Sequence, residues 1–112
     1  MEYKLTLWPN PFKAIKSGLK TIEMRLNDEN KSKIKVGVIL EFSQTQTGEK
    51  IRCLVTNIYH YPSFEELYLH FPKSSLGYLE EEDANPNDML QYYSKERIDK
   101  YGVLGIEIKL LS

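Results

Sequence analysis

Cysteine is almost missing from this 112-residue chain. Cys53 stands alone, so no internal disulfide forms, and with His60 and His70 as the two histidines there is no thiolate-rich zinc framework. No metal site and no cofactor are expected. Long apolar runs are lacking as well: none approaches the roughly 18 to 20 residues that cross a bilayer, and the start MEYKLTLWPN has no basic segment leading into an apolar one. A cytoplasmic protein with no membrane partner is the expectation. A strong positive balance is also missing. The formal charge is -1, which argues against a protein that coats duplex backbone through many lysines.

What is present describes a folded domain. With 41% hydrophobic and 28% charged residues, the chain is neither disordered nor fibrous. A chain of this length buries roughly two-thirds of its unfolded surface, enough for one core, so residues 1–112 form a single domain without repeats or a linker. The charge is unevenly spread. Residues 1–60 carry ten Lys and Arg against six acids, net +4, while residues 61–112 carry five against ten, net -5. An anionic ligand should meet the first half.

Tyr3 to Trp8 reads as a first strand. Asn10 then caps a short helix with Pro11 at its first position, Phe12 and Ile15 on its inner face and Gly18 as its stop. From Leu19 to Leu26 the chain alternates: Ile22, Met24 and Leu26 point one way, Thr21, Glu23 and Arg25 the other. Asn27 to Lys35 is a lysine-dotted loop with room for a short helix. Val38, Leu40 and Phe42 are the inward set of the next strand, and Thr45 to Lys50 turns into a partner strand over about Ile51 to Tyr59.

Ser63 and Glu66 form a capping box for a helix that Pro72 stops. Leu79 to Asp88 is acidic and irregular, with Glu80 to Asp83 the densest charge run. Met89 to Lys100 is helical in composition with a second cap at Ser94, and a strand with Leu104, Ile106, Ile108 and Leu110 on one face closes the chain. About five strands with short helices in so small a protein point to an α+β, mainly β fold, a compact barrel with helices at its periphery, since closure removes exposed sheet edges.

The chemistry concentrates in Gly18 to Arg25. Thr21, Glu23 and Arg25 share a strand face, about 6.6 Å apart in succession, and either lie on a solvated surface or line a polar cleft. Lys20 falls on the opposite face of a regular strand. It can join Glu23 only if the chain is still turning after Gly18 or bulges there.

The pattern G-x-K-x-x-E-x-R, filled by Gly18, Lys20, Glu23 and Arg25, resembles the ASCH domain of the PUA-like barrel superfamily. The resemblance extends to the Pro11-Phe12 to Ile15 helix, to Lys35-Val36-Gly37 before a strand, to Ser63-Phe64-Glu65-Glu66-Leu67 and to the ending from Tyr101-Gly102-Val103 to Ile108. One departure is Val38, where ASCH-like sequences often have Asp after the glycine. The resemblance implies a small PUA-like barrel with a charged cleft beside Gly18 to Arg25. It also implies a partner that is single-stranded RNA or a nucleoside-like small molecule. Lys20, Glu23 and Arg25 are then the candidate ligand-binding residues.

The resemblance also leaves an enzyme open, since some ASCH-like proteins act as amidohydrolases on acetylated cytidine or as ribonucleases. In that alternative Lys20 and Glu23 are the catalytic candidates and Thr21 a weaker one, lacking a recognisable base to activate it. The amidohydrolase branch, however, has threonine where this chain has Glu23. A carboxylate about 4 Å from an ammonium favours the charged lysine by roughly 4 kcal/mol at an effective dielectric near 20, which makes Lys20 a poor general base. Arg25 either forks onto a phosphate or holds Glu23. Lys31, Lys33 and Lys35 either widen an electropositive rim or are a solvated loop. Among the aromatics, Trp8 and Tyr59 are the candidates for stacking on an unpaired base, with packing as the alternative.

Overall fold

The computed structural model describes residues 2–111. Its strands are β1 (Glu2–Leu7), β2 (Ile22–Leu26), β3 (Ile39–Gln44), β4 (Lys50–Tyr61) and β5 (Val103–Leu110), joined in one sheet of order β1-β3-β4-β5-β2. β1 runs parallel to β3; the other three pairs are antiparallel. Three helices, α1 (Pro9–Lys16), α2 (Phe64–His70) and α3 (Lys95–Tyr101), and three 3-10 turns at Lys31–Lys33, Lys73–Leu76 and Pro86–Gln91 fill the connections. The class is the expected one, α+β and mainly β, with the sheet curled into a half-barrel.

Local chemistry accounts for the helix ends. Ser63 Oγ accepts from the Glu66 N–H at 3.3 Å to open α2, and Ser94 Oγ does the same for Arg97 at 3.3 Å in α3. α1 differs from the expectation. Trp8 occupies its N-cap position, with no side-chain cap bond, and Pro9 begins the first turn. Proline brings a helical φ and lacks an N–H that the first turn would leave unbonded, so the helix starts before Asn10 and needs no cap from it.

One extra residue sets which side chains of β4 reach the interior. Val55 pairs with Ile108 and Asn57 with Glu107, leaving Thr56 as a β-bulge whose hydroxyl donates to Glu107 Oε1 at 2.9 Å. A single inserted residue reverses the in-out alternation. Before the bulge, Ile51, Cys53 and Val55 fill the barrel; beyond it Ile58 turns inward, while Tyr59 and Tyr61 turn outward against Phe71.

β2 is buried on both faces. Directly paired residues of a ladder share a face, so Glu23 opposite Ile106 and Arg25 opposite Leu104 lie on the barrel side, within the core of Leu40, Phe42, Cys53 and Val55. Ile22, Met24 and Leu26 face outward into a second core with Phe64, Leu67, Met89 and Ile98. The charged face of β2 is therefore the inner one. β1 and β2 are the sheet's two edges and share no ladder among the described residues. Arg25 spans the opening instead, donating from Nη2 to the Thr6 carbonyl at 3.0 Å.

Gly105 lets α2 lie close to the sheet: a Cβ there would stand 3.4 Å from both Ile22 Cγ2 and Leu67 Cδ1. A methyl fits at ordinary contact distance and a branched side chain does not. We expect Gly105→Ala to be nearly neutral and Gly105→Val to cost about 1 to 3 kcal/mol through overpacking, as measured by urea unfolding. Equal midpoints for the two variants would refute this tight packing.

Candidate functional site

The residues between α1 and β2 solve the placement of Lys20. After Gly18, whose φ of +88° makes the turn, the Lys20 N–H donates to the Ala14 carbonyl at 3.0 Å and the Thr21 N–H to the Ser75 carbonyl at 2.9 Å. The chain is thus still turning, and β2 starts at Ile22 rather than Leu19. Lys20 is freed from strand alternation, and its stem runs over Gly77, where an added Cβ would come within 3.1 Å of Lys20 Cδ. Its ammonium meets the carboxylate that the strand carries. Lys20 Nζ lies 2.8 Å from Glu23 Oε1, and Arg25 Nε donates to Glu23 Oε2 at 2.8 Å.

All three groups are withdrawn from water, with side-chain exposures of 8% for Lys20, 3% for Glu23 and 15% for Arg25. Burial alone would push the Glu23 carboxyl up, but Lys20 and then Arg25 outweigh it and hold the group well below 4.5, at about 2. Burial likewise pulls the Arg25 guanidinium down, yet Glu23 and then Tyr93 more than restore it, so it ends above its ordinary value. Cys53, on the same inner face, goes the other way. Its thiol is pushed up to about 11 by burial and then by Glu23, which leaves it inert as a nucleophile.

These groups lie along an open cleft of about 920 Å3 between the end of β1, α1 and the irregular segment that follows α2. That volume falls within the roughly 300 to 1,000 Å3 range of small-molecule sites. Lys13, Lys20 and Arg25 line it against Glu23, Glu82 and Asp88, three positive charges and three negative. One rim is aromatic: Trp8 is 50% exposed and Tyr92 41%, with ring centroids 4.8 Å apart at 57°. The opposite wall is a relay. Tyr78 donates to Asp88 Oδ2 at 2.7 Å and so accepts from Tyr68, whose oxygen is 2.8 Å away. Burial above all, and the proton it donates to Asp88, raise the Tyr78 hydroxyl far above its usual range.

Of the residues singled out in the sequence, the fold brings Trp8, Lys20, Glu23 and Arg25 to this cleft. Tyr59 lies elsewhere, its ring edge-on to Phe71 at 5.1 Å, because the bulge at Thr56 turns it outward. Thr21 is exposed and does not line the cleft, since the turn that admits Lys20 rotates its neighbour away. Lys31 and Lys35 border a different, smaller hollow. The acidic run contributes Glu82 to the cleft rim, where Lys73 Nζ donates to the Glu80 and Glu82 carbonyls and fixes the loop.

The sequence reading missed Lys13, Tyr68, Tyr78, Asp88 and Tyr92. No motif marks them; Lys13 and Tyr68 sit on α1 and α2 without any signal, and for Tyr78, Asp88 and Tyr92 the one signal is a stretch from Phe71 to Ser94 without a strand or a full α-helix, a length of loop that compact domains keep mainly for function.

The cluster's chemistry follows from which groups are already engaged. Glu23 has each oxygen taken by a cation, and Arg25 has Nε on Glu23 and Nη2 on Thr6. Lys20 keeps N–H donors beyond its bond to Glu23, and Trp8 and Tyr92 keep open ring faces. Among the described residues no three His, Cys, Asp or Glu side chains gather into a metal-binding group, and no helix is long and apolar enough to cross a membrane.

Comparison with known proteins agrees with the fold. The profile of the ASCH domain matches residues 5–112. The crystal structure of hypothetical protein PH0355 superposes with a TM-score of 0.80 at 31% identity, covering 99% of this chain and 100% of that one. The solution structure of protein PF0455 from Pyrococcus furiosus gives 0.74 at 31% identity, covering 100% and 99%. The crystal structure of ASCH from Zymomonas mobilis gives 0.69 at 16% identity, covering 96% of this chain and 66% of that one, a likeness of fold. No curated protein matches the sequence.

The depressed Glu23 carboxyl carries a pH signature. Its folded value of about 2 lies below the ordinary 4.5, so its contribution is fully present above pH 4.5 and lost as pH falls through about 2. The shift corresponds to on the order of 3 kcal/mol. Glu23→Gln should therefore be less stable than wild type by about that amount at pH 7, with the gap narrowing between pH 4.5 and 2. Urea unfolding across this range checks it, and a gap that stays constant down to pH 2 would contradict the pairing.

Proposed function

The chain belongs to the ASCH domain family, and from that premise we propose that its cleft binds an unpaired nucleobase, as a modified nucleoside or within a short single-stranded RNA element. The observation that carries this reading is the juxtaposition of a buried Lys20-Glu23-Arg25 cluster with an exposed Trp8-Tyr92 rim in one hollow. A base stacks on an aromatic face through its π-surface whatever its identity, a contact worth about 1 to 3 kcal/mol. Lys20 supplies a donor to a ligand oxygen, a phosphate or a base carbonyl. Glu23 acts as a positioning residue that holds Lys20 and Arg25 charged and in place.

The balanced lining of the cleft favours a ligand with few phosphates. A groove for a long strand carries a surplus of cations along the backbone path, whereas here Glu82 and Asp88 cancel Lys13 and the single net positive charge of the Lys20-Glu23-Arg25 cluster. The same geometry favours binding over turnover. A general base works best with a pKa near the working pH, and Glu23 at about 2 lies far below it with both oxygens engaged. Thr21 stands outside the cleft.

Trp8 is the chain's single tryptophan, so its fluorescence reports directly on the rim. Titration with nucleosides and with short unpaired RNA should quench it saturably, and Lys20→Ala should weaken binding about tenfold, near 1.4 kcal/mol. With engagement of about two phosphates, the salt slope for RNA should be on the order of -1.4. Unchanged fluorescence with every nucleoside and RNA, or a slope several times steeper, would rule the reading out.

A further inference from the structure

We infer that a hollow on the far side of Leu104 from Arg25 is a second site, with its own lining, that takes a phosphate group. The lysine-dotted loop between β2 and β3 takes no part in the cleft. β3 is parallel to β1 and β4 antiparallel to β3, so the last residues of β4 lie where β1 begins, while the cleft lies where β1 ends. The loop between β2 and β3 crosses the sheet where β1 begins. Between it and the last part of β4 is a hollow of about 220 Å3.

Lys31, Lys35 and His60 border this hollow, and Ile34, Ile58 and Leu104 form its apolar floor. No acidic side chain among the described residues lines it. Among the described residues none of the three basic side chains is in an ion pair, whereas Lys16, Lys20, Arg25, Lys50, Arg52 and Arg97 all are. The nearest acids along the loop are Asp28 and Glu29. Asp28 is engaged, accepting from the Lys31 N–H at 2.9 Å and facing Arg97 Nη2 at 3.8 Å.

Two ammonium groups and an imidazole around an apolar floor form a cationic recess with no counter-charge of its own. An apolar wall lowers the local dielectric and strengthens the attraction for an anion placed there. The volume lies below the roughly 300 Å3 at which drug-sized ligand sites begin. The guest is therefore small: a phosphate group, free, on a small phosphorylated molecule, or as one phosphate of an RNA strand. The hollow owes its form to the bulge at Thr56, which turns Ile58 into the floor and leaves His60 at the border.

The test is titration of isotope-labelled protein by heteronuclear NMR with inorganic phosphate, with a simple phosphate monoester and with a 5′-phosphorylated trinucleotide. With phosphate and the monoester, saturable amide shifts at residues 31–36 and 58–60 are expected; the trinucleotide should add a separate set at the cleft, around residues 8, 20 and 92. The Lys31→Gln/Lys35→Gln pair should weaken the first set about tenfold, and His60→Asn should weaken it independently. Lys95→Gln/Lys100→Gln, an equal loss of charge elsewhere, should leave it unchanged. Saturation by phosphate or the monoester assigns the site to small molecules; saturation by the trinucleotide alone assigns it to an RNA phosphate. Shifts that spread over the surface, fail to saturate, or weaken equally with the control pair overturn the proposal.

Discussion

A carboxylate withdrawn from water between two cations is the constraint around which this small protein is arranged. An isolated buried carboxylate is prohibitively costly, and only close, well-oriented partners make it tolerable. Glu23 has both, one on each oxygen. Each partner carries a different part of the chain with it. Lys20 fixes the turn between α1 and β2, and Arg25 reaches from β2 to the carbonyl of Thr6 on β1. Removing the carboxylate would leave two buried cations facing each other, so the cluster holds together as a unit or not at all.

The cluster also explains how a half-barrel manages its seam. Strand edges are normally paired, covered or charged, and β1 and β2, the two edges, do none of this through a shared ladder. A guanidinium spans the opening, leaving a polar entrance where a hydrogen-bonded strand pair would have closed the wall. The cleft exists because the barrel is incomplete there. Its other boundaries come from α2 and the segment after it: Lys73 gathers carbonyls of that segment, and Tyr68 of α2 joins Tyr78 and Asp88 in a hydrogen-bonded wall.

Charge is partitioned in space more sharply than composition suggests. Of the ten Lys and Arg in residues 1–60, Lys13, Lys20 and Arg25 face the cleft and Lys31 and Lys35 border the second hollow. The acidic second half meets only the first of these. Glu82 and Asp88 neutralise the cleft and no acid neutralises the hollow. Two recesses of one small sheet thus offer a ligand different fields.

Sequence alone determined the class of fold, the helix starts at Ser63 and Ser94, the core set of β3 and that of β5 as far as Ile108, and that Lys20, Glu23 and Arg25 belong to one short charged motif. Those features rest on neighbours three or four positions apart, on alternation, and on a motif whose members lie within eight residues. The sequence also determined that Lys20 could reach Glu23 only from a chain still turning, a condition set by strand geometry. Tertiary structure decided which face of β2 is the inside, because both faces are buried and only pairing with β5 tells them apart. It decided that Tyr59 packs on Phe71, since a bulge at Thr56 leaves no mark in composition. It also brought Trp8 beside Tyr92 and placed Asp88 in the same cleft as Lys20, juxtapositions of distant parts of the chain that no local pattern encodes, because they arise from the path of the backbone around a sheet.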